Sequence, residues 1–518
     1  MENKPLNKNL KLLFKSSLIV FVGMFLSKLL SYFYRIIIAR HFGPEMYGVF
    51  SLSVMIFGVF LSFSLMGLSE GLLRYIPFFR GKNKKENISY LFHFSAYVTI
   101  FSSILFGIIL FFSSSYISNN IFHTEMLTIF LKIFSFLIIF NVLANLLLIS
   151  IKSFEKIKIY SFSMNFLSNF IKVFFLIIFI FLGLGSESIS SSYFLGIFVM
   201  FLFSFFYCKY KLPELFIKTS LKKKDKKILR KDLLIYSVPL MFYVFIAMVF
   251  YWTDSFFIGF FKSPLEVGIY NAAIPISLLL TFVPELFMQL FFPMITKEFS
   301  KKNLKLIREL SKQVNKWILL VNLPLFMLLL SFPKLILNIL FGSEYLVAQT
   351  SLQILLFGQF FFSMSIISQN LILMKGKSKL ILFDFCLISF LNIILNYFLI
   401  PMEKIWFIDN SFGINGAALS TAFSLICLNV IFSLQTKKYL LIIPLRKKMF
   451  NLALSALISF MILLYLKTLV SETIISTILI SISFVLFYAL FLFLFKALDK
   501  NDLMIIQAIK RNFVTYNI

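Results

Sequence analysis

The chain is predicted to be an all-α integral membrane protein with about fourteen transmembrane helices, in two six-helix lobes plus a C-terminal pair. Composition and charge placement carry this expectation. Of 518 residues, 60% are hydrophobic and only 14% charged, where a soluble protein would carry about a quarter charged. Phe alone occurs 72 times and the mean hydropathy is +0.93. Lys and Arg, which set the net charge of +28, fall in short clusters between long apolar runs. That is the membrane pattern and not a nucleic-acid surface.

A bilayer core needs about 20 mostly apolar residues per helix. Runs of that kind cover 16–39, 47–77, 89–113, 125–150, 158–183, 188–208, 233–261, 266–293, 313–333, 346–374, 379–401, 412–436, 448–467 and 472–496. The basic start followed by a long apolar run without a small-residue cleavage site reads as a first helix, not as a removable signal. The chain then divides into an N-terminal lobe (1–208), a basic linker (209–232), a C-terminal lobe (233–436) and a final helix pair with its tail (437–518).

With the N-terminus placed in the cytoplasm, forty of the fifty Lys and Arg residues fall in inside segments and five (Arg40, Lys262, Lys334, Lys404, Lys467) in outside loops. The asymmetry predicts cytoplasmic N- and C-termini in a multi-pass plasma-membrane protein. The linker, with its run of lysines from Lys222, reads as a topology anchor that favours anionic lipid.

The lobes echo each other. Pro44-Glu-Met-Tyr-Gly48-Val-Phe-Ser and Pro264-Leu-Glu-Val-Gly268-Ile-Tyr-Asn open the second and eighth helices, 220 residues apart. Duplication of this kind places a substrate site between repeats in many transporters.

Five cations remain inside predicted helices: Lys28, Arg35, Arg74, Lys132 and Lys172, all in the first lobe. Each costs roughly 2.5–3.5 kcal/mol near a helix centre, so such residues usually face a water-filled path. Lys28, Tyr32 and Arg35 share one face of helix 1, and Asn165, Asn169 and Lys172 make a similar stripe on helix 5. A cationic, amide-lined surface suits a phosphate or diphosphate. Lys28, Arg35 and Lys172 are the principal candidates. Arg74 is placed to pair with Glu70 four residues earlier, and Lys132 to reach the outer interface.

Asp254 and Glu285 are the deep acids of the second lobe, with Asp384 nearer an end. The first two are candidates to pair with first-lobe cations when the lobes close, or to carry a coupling proton or sodium ion. Pro275, Pro284 and Pro293 are expected to bend helix 8. Cys208, Cys386 and Cys427 lie in apolar surroundings without a paired spacing, and His41, His93 and His123 are scattered. No disulfide, metal site or cofactor is expected.

The motifs Ala39-Arg-His-Phe-Gly-Pro-Glu-Met-Tyr-Gly-Val-Phe-Ser-Leu52 and Gly67-Leu-Ser-Glu-Gly-Leu-Leu-Arg-Tyr-Ile-Pro77 open the comparison with a known family. Thr253-Asp-Ser-Phe-Phe-Ile-Gly259, Val267-Gly-Ile-Tyr-Asn-Ala-Ala273 and Gly413-Ile-Asn-Gly-Ala-Ala-Leu-Ser420 complete it. Together they resemble the polysaccharide and oligosaccharide flippases of the multidrug/oligosaccharidyl-lipid/polysaccharide exporter superfamily. The resemblance implies two lobes that alternate in access. It also implies a polyprenyl-linked glycan as substrate, membrane lipids as surroundings and glycan-assembly enzymes as partners. Two alternatives stay within the superfamily. A multidrug or cation antiporter would want acids or apolar surface in the first lobe, where five cations stand instead. A peptidoglycan-precursor flippase shares the diphosphate chemistry. A membrane glycan polymerase or ligase would place catalytic groups on a large outer loop, and none here exceeds about 16 residues.

Overall fold

The computed structural model describes residues 4–471, 473–499 and 502, with side chains from Lys28 onward apart from those of residues 243, 289 and 290. The basic N-terminal lysines and the tail beyond residue 502, on which part of the charge count rests, lie outside the described side chains.

The first lobe comprises α1 (Lys4–Leu65), α2 (Leu68–Gly81), α3 (Lys85–Tyr116), α4 (Met126–Ser153), α5 (Ile157–Ser161), α6 (Ser168–Phe181) and α7 (Glu187–Lys211). A π-helical stretch, Phe162–Leu167, joins α5 to α6 as one span. The second lobe comprises α8 (Lys223–Phe261), α9 (Pro264–Ser277), α10 (Leu279–Ser300), α11 (Leu304–Ser331), α12 (Pro333–Leu340), α13 (Gln349–Met374), α14 (Ser378–Leu399) and α15 (Ile414–Leu440). The final pair is α16 (Lys448–Leu469) and α17 (Ile474–Leu494). A two-residue hairpin, β1 (Lys404–Ile405) with β2 (Ile408–Asp409), caps the turn between α14 and α15.

Thirteen helices among the described residues are long and apolar enough to cross a membrane, and the first of them runs on through Gly43. Gly43 has φ 80°, a left-handed conformation open to glycine, and Pro44 follows where a helix can begin again. The break divides α1 into the first two predicted spans, which brings the count to the expected fourteen. Met66 and Gly67 interrupt the second span in the same way, both at positive φ. In the eighth span α9 ends at Ser277 and α10 resumes at Leu279, four residues after Pro275. The linker is shorter than expected: α8 starts at Lys223, so its first turns extend the helix beyond the apolar run.

Many helices carry apolar residues on their outward faces. Phe112, Phe181 and Phe493 are each more than 60% exposed, which in water would be a liability and in a bilayer is the lipid surface.

The two echo motifs meet. They lie at the end of the bundle opposite the basic loops, where the second half of α1 crosses α9. A Cβ added to Gly48 would stand 1.6 Å from the Pro264 carbonyl oxygen, and one added to Gly268 would stand 1.8 Å from that of Pro44. The contact is reciprocal, glycine of one lobe against proline carbonyl of the other. Around it, Tyr345 donates its hydroxyl to the Ala39 carbonyl at 3.1 Å. Arg40 donates to the carbonyls of Asn338, Ile339 and Leu340 at 2.6–3.1 Å. This end of the lobe junction is therefore shut by backbone packing and hydrogen bonds.

Candidate functional site

The cations of helix 1 face the junction between the lobes. The Lys28 ammonium lies 3.0 Å from Glu285 Oε2 on α10 and 5.0 Å from the centre of the Phe282 ring. One turn further on, Tyr32 lies within electrostatic range of Arg35, Glu285, Tyr251 and Tyr47. Arg35 donates to the hydroxyl oxygen of the fully buried Tyr47. Tyr47 in turn donates to the Asn271 carbonyl at 3.3 Å. A chain of hydrogen bonds thus runs from a first-lobe guanidinium to second-lobe backbone.

Lys172 joins this group from α6. Its ammonium sits 3.9 Å from the centre of the Tyr193 ring on α7 and interacts electrostatically with Arg35. Gly196 makes the arrangement possible. A Cβ there would be 2.3 Å from Lys172 Cγ, so the lysine stem lies across bare backbone one turn from Tyr193. Tyr34 braces the same wall by donating to the Ile189 carbonyl at 2.9 Å. Arg35 is thus the link between the Lys28 end of α1 and Lys172 on α6, with Tyr32, Tyr47, Tyr193 and Tyr251 in electrostatic reach of these groups.

The remaining sequence candidates lie elsewhere or play local roles. Arg74 is exposed and makes no ion pair with Glu70; its guanidinium lies 4.3 Å from the Tyr236 ring centre. That aromatic face on α8 offers a better partner than a half-buried i,i+4 acid. Lys132 is exposed, 5.7 Å from the Phe111 ring centre, on the outside of the α3–α4 pair. Asn165 and Asn169 turn back on their own helix, to Ser161 Oγ at 3.2 Å and the Asn165 carbonyl at 2.8 Å. Glu285, one of the two second-lobe acids expected either to pair with a first-lobe cation or to carry a coupling ion, is found paired with Lys28.

One further cation escaped the sequence reading. Lys316, counted with an inside loop, is fully buried within α11 and pairs with Asp499 at 3.2 Å and with Asp502. Arg446 joins Asp499 at 3.1 Å, and the indole of Trp317 donates to Asp502 at 2.8 Å. The cluster straps the segment after α17 to α11.

Asp254 is buried in the second lobe where α8, α9, α14 and α15 converge. Tyr270 donates to its Oδ2, Asn396 donates to Oδ1 at 2.9 Å, and the Thr421 hydroxyl lies 2.8 and 2.7 Å from the two oxygens. Asn392 donates to Thr421 Oγ1 at 3.1 Å and accepts from Asn396 at 3.1 Å. The Asn396 Oδ1 atom is buried without a partner. Among the described residues no cation pairs with this carboxylate. An unneutralised acid among hydroxyl and amide groups can take a proton on the carboxyl or a hard cation. No cluster of three or more His, Cys, Asp or Glu occurs among the described residues. Asp384, by contrast, accepts from Gln435 at 2.9 Å.

On the other face of the lobe junction an apolar groove of about 390 Å³ lies between α1, α3 and α8, lined by Met55, Val59, Phe122, Met248, Trp252 and Phe256. It is a hydrocarbon surface with no polar group to orient a headgroup.

Comparison with known proteins adds a family and a fold. The profile of the family described as polysaccharide biosynthesis protein matches residues 37–350. An uncharacterized membrane protein of Methanocaldococcus jannaschii is 25% identical over 508 residues, covering 95% of this chain and 97% of its own. A Haloferax volcanii protein assigned as the low-salt glycan biosynthesis flippase Agl15 is 30% identical over 209 residues, 40% of this chain and 42% of its own. Among solved structures, the lipid II flippase MurJ in its inward closed conformation superposes with a TM-score of 0.71 at 16% identity, covering 91% of this chain and 98% of that one. At that identity the likeness is one of fold.

Proposed function

The chain belongs to the polysaccharide biosynthesis protein family, and from that premise we propose that it flips a polyprenyl-phosphate- or diphosphate-linked oligosaccharide across the plasma membrane by alternating access. What supports the reading is the placement of Lys28, Arg35 and Lys172 toward the lobe junction, where we infer that they share one chamber. Three cations facing lipid would together cost roughly 7–10 kcal/mol; facing a shared chamber they form a seat for phosphate. Arg35 offers a forked donor and the two lysines point charges. The tyrosines around them add hydroxyls and ring faces that suit the sugars next to the phosphate. The Agl15 assignment points to the same class of cargo.

Cytoplasmic termini, a shut outer end and a chamber loaded from the inner leaflet follow from the charge asymmetry. In this scheme the Gly48–Gly268 crossing is the outer gate, and Asp254 carries the proton or sodium ion that drives the cycle. Its four uncharged oxygen-bearing neighbours and the unpartnered Asn396 oxygen support that role. Arg74 and Lys132 have no part in it. The activity is transport, with glycan-assembly enzymes supplying and consuming the cargo.

The test is export of the lipid-linked glycan in cells and flipping in proteoliposomes. Lys28→Ala and Arg35→Ala should each abolish transport at unchanged levels of inserted protein. Normal export by both would remove the chamber. Asp254→Asn should stop gradient-driven transport and leave cargo binding within about twofold.

A further inference from the structure

Lys28 and Glu285 form the one ion pair among the described residues that joins the two lobes. Both side chains are partly open, at 32% and 43% exposed, so the pair borders the chamber instead of being sealed in the core. Glu285 follows Pro284 within α10, where the proline removes one helical hydrogen bond and the released Leu280 carbonyl accepts from Asn322 of α11 at 2.7 Å instead. The preceding half of the same span, α9, is held against α1 by the Gly48–Gly268 crossing. One half of this span is therefore fixed at the shut end. Beyond the break at Leu278 the other half meets α1 through side-chain packing, the Lys28–Phe282 ring contact and this one charge pair.

We propose that Glu285 is a tethered anion that occupies the phosphate seat on Lys28 when the transporter is empty, so that an arriving phosphate displaces it and releases the tie between the lobes. This rests on the phosphate chamber argued above. The chemistry is that of competition. A carboxylate and a phosphate both accept from the ammonium. A phosphate of one or two negative charges that settles on Lys28 beside an ionised Glu285 meets like-charge repulsion, moderated by the partial exposure of the pair. The carboxylate must leave. Arg35 and Lys172 stay in place, each with an aromatic neighbour and no acid, and hold the ligand that Lys28 has exchanged for Glu285. α10 then swings from its break while α9 remains packed. Cargo binding and lobe movement are thereby one event: the empty carrier keeps its tie, and the loaded carrier loses it. The same competition weakens the hold of every phosphate ligand by a common factor, which discourages occupancy by weakly bound membrane phospholipids.

The experiment uses the purified protein in lipid nanodiscs with farnesyl diphosphate as probe, and reads two quantities. One is the dissociation constant. The other is the distance between spin labels at Lys82 and Lys297, one on each lobe. Glu285→Gln should tighten binding about three- to tenfold, the range expected for removing a half-exposed competing ion pair. Its ligand-free distance distribution should match that of the loaded wild type. Glu285→Asp, which keeps the charge on a shorter stem, should fall between the two and guards against a folding defect in the first variant. Unchanged or weaker binding in Glu285→Gln, or a distance that does not move, overturns the proposal. Lys28→Ala and Arg35→Ala separate it from the chamber itself: if both bind farnesyl diphosphate as well as wild type, the phosphate site fails irrespective of Glu285.

Discussion

Replacing Gly48 by alanine should force the outer gate open. The new Cβ would begin 1.6 Å from the Pro264 carbonyl oxygen and 2.9 Å from the Gly268 nitrogen. Real Cβ atoms essentially never come closer than 3.0 Å, so α1 must withdraw from α9 by about 1.4 Å at this point. Both partners are helical backbone, and neither can turn aside as a side-chain tip would. Overpacking of this kind costs about 1–3 kcal/mol. The withdrawal also stretches the bonds of Arg40 to the end of α12 and of Tyr345 to Ala39, each contributing roughly 1 kcal/mol or more. A total near 3 kcal/mol shifts the closed-to-open ratio on the order of a hundredfold. Gly268→Ala should do the same, because the contact is reciprocal. Gly81→Ala, where an added Cβ meets nothing within 4 Å, is the control. The assay starts from a protein lacking Cys208, Cys386 and Cys427 and carrying one cysteine in place of Tyr251, inside the chamber. A membrane-impermeant maleimide applied outside intact cells should label the two gate variants and not the control. Equal labelling of all three, with normal folding, would show that the crossing is not a gate.

Other expectations follow from the same geometry. Arg35→Lys should restore only part of the transport lost in Arg35→Ala, measured as initial flipping rate, because the fork to Tyr47 and phosphate becomes a point charge. Lys316→Ala should lower stability by ~3–5 kcal/mol, read as a fall in melting temperature in detergent, because it leaves the buried Asp502 without its ammonium. Lys316→Met together with Asp502→Leu should recover much of that loss. Burial raises the Asp499 carboxyl, but Lys316 and Arg446 outweigh it and hold the group below its ordinary value of 3.8. The stability it contributes is thus complete above that value and is lost as the pH falls through the lower folded one, a loss that Asp499→Asn should abolish. A cysteine at Ser220, between α7 and α8, should react with an impermeant thiol label only in inverted vesicles; reaction in intact cells would reverse the assigned orientation.

Helix number and the cationic face of α1 were legible because each rests on chain-local periodicity. Twenty apolar residues span a bilayer wherever they occur, and Lys28, Tyr32 and Arg35 share a face by helix geometry alone. The misread features depend on what lies across a contact. Glu70 and Arg74 have pair spacing, yet Arg74 finds Tyr236 on another helix. Lys316 sits at the seam between a basic loop and an apolar run, so counting could not tell a solvated lysine from one buried against residues 499 and 502. Glu285 as the partner of Lys28 is 257 residues away in sequence and was visible only as one option among several. The tyrosines of the chamber and the Asn392–Asn396–Thr421 set around Asp254 carry no local signal beyond being polar within apolar runs. An Asn at i and i+4 on one helix, with an acid predicted deep in the same lobe, was the one hint available.

In the proposed scheme the lobes share a gate and divide their chemistry. The repeated Pro-x-x-x-Gly motif has the same task in both copies, because a reciprocal crossing needs a bare Cα and a forward carbonyl from each side. The charged groups need not match, and they do not: the chamber's cations come from α1 and α6 of the first lobe, and the buried acid comes from α8 of the second. Separation has a physical advantage. An acid placed among Lys28, Arg35 and Lys172 would neutralise the phosphate seat permanently, and a cation beside Asp254 would deny it a proton or metal ion. Glu285 is the exception at the border. It reaches across the junction to one cation only, on a span already broken at Leu278 and bent at Pro284. It can therefore report whether the seat is filled to a lobe whose Asp254 is kept apart. If that division holds, moving an acid into the first lobe by Tyr193→Glu, beside Lys172, should cost cargo binding more than tenfold while leaving the ion response of Asp254 intact.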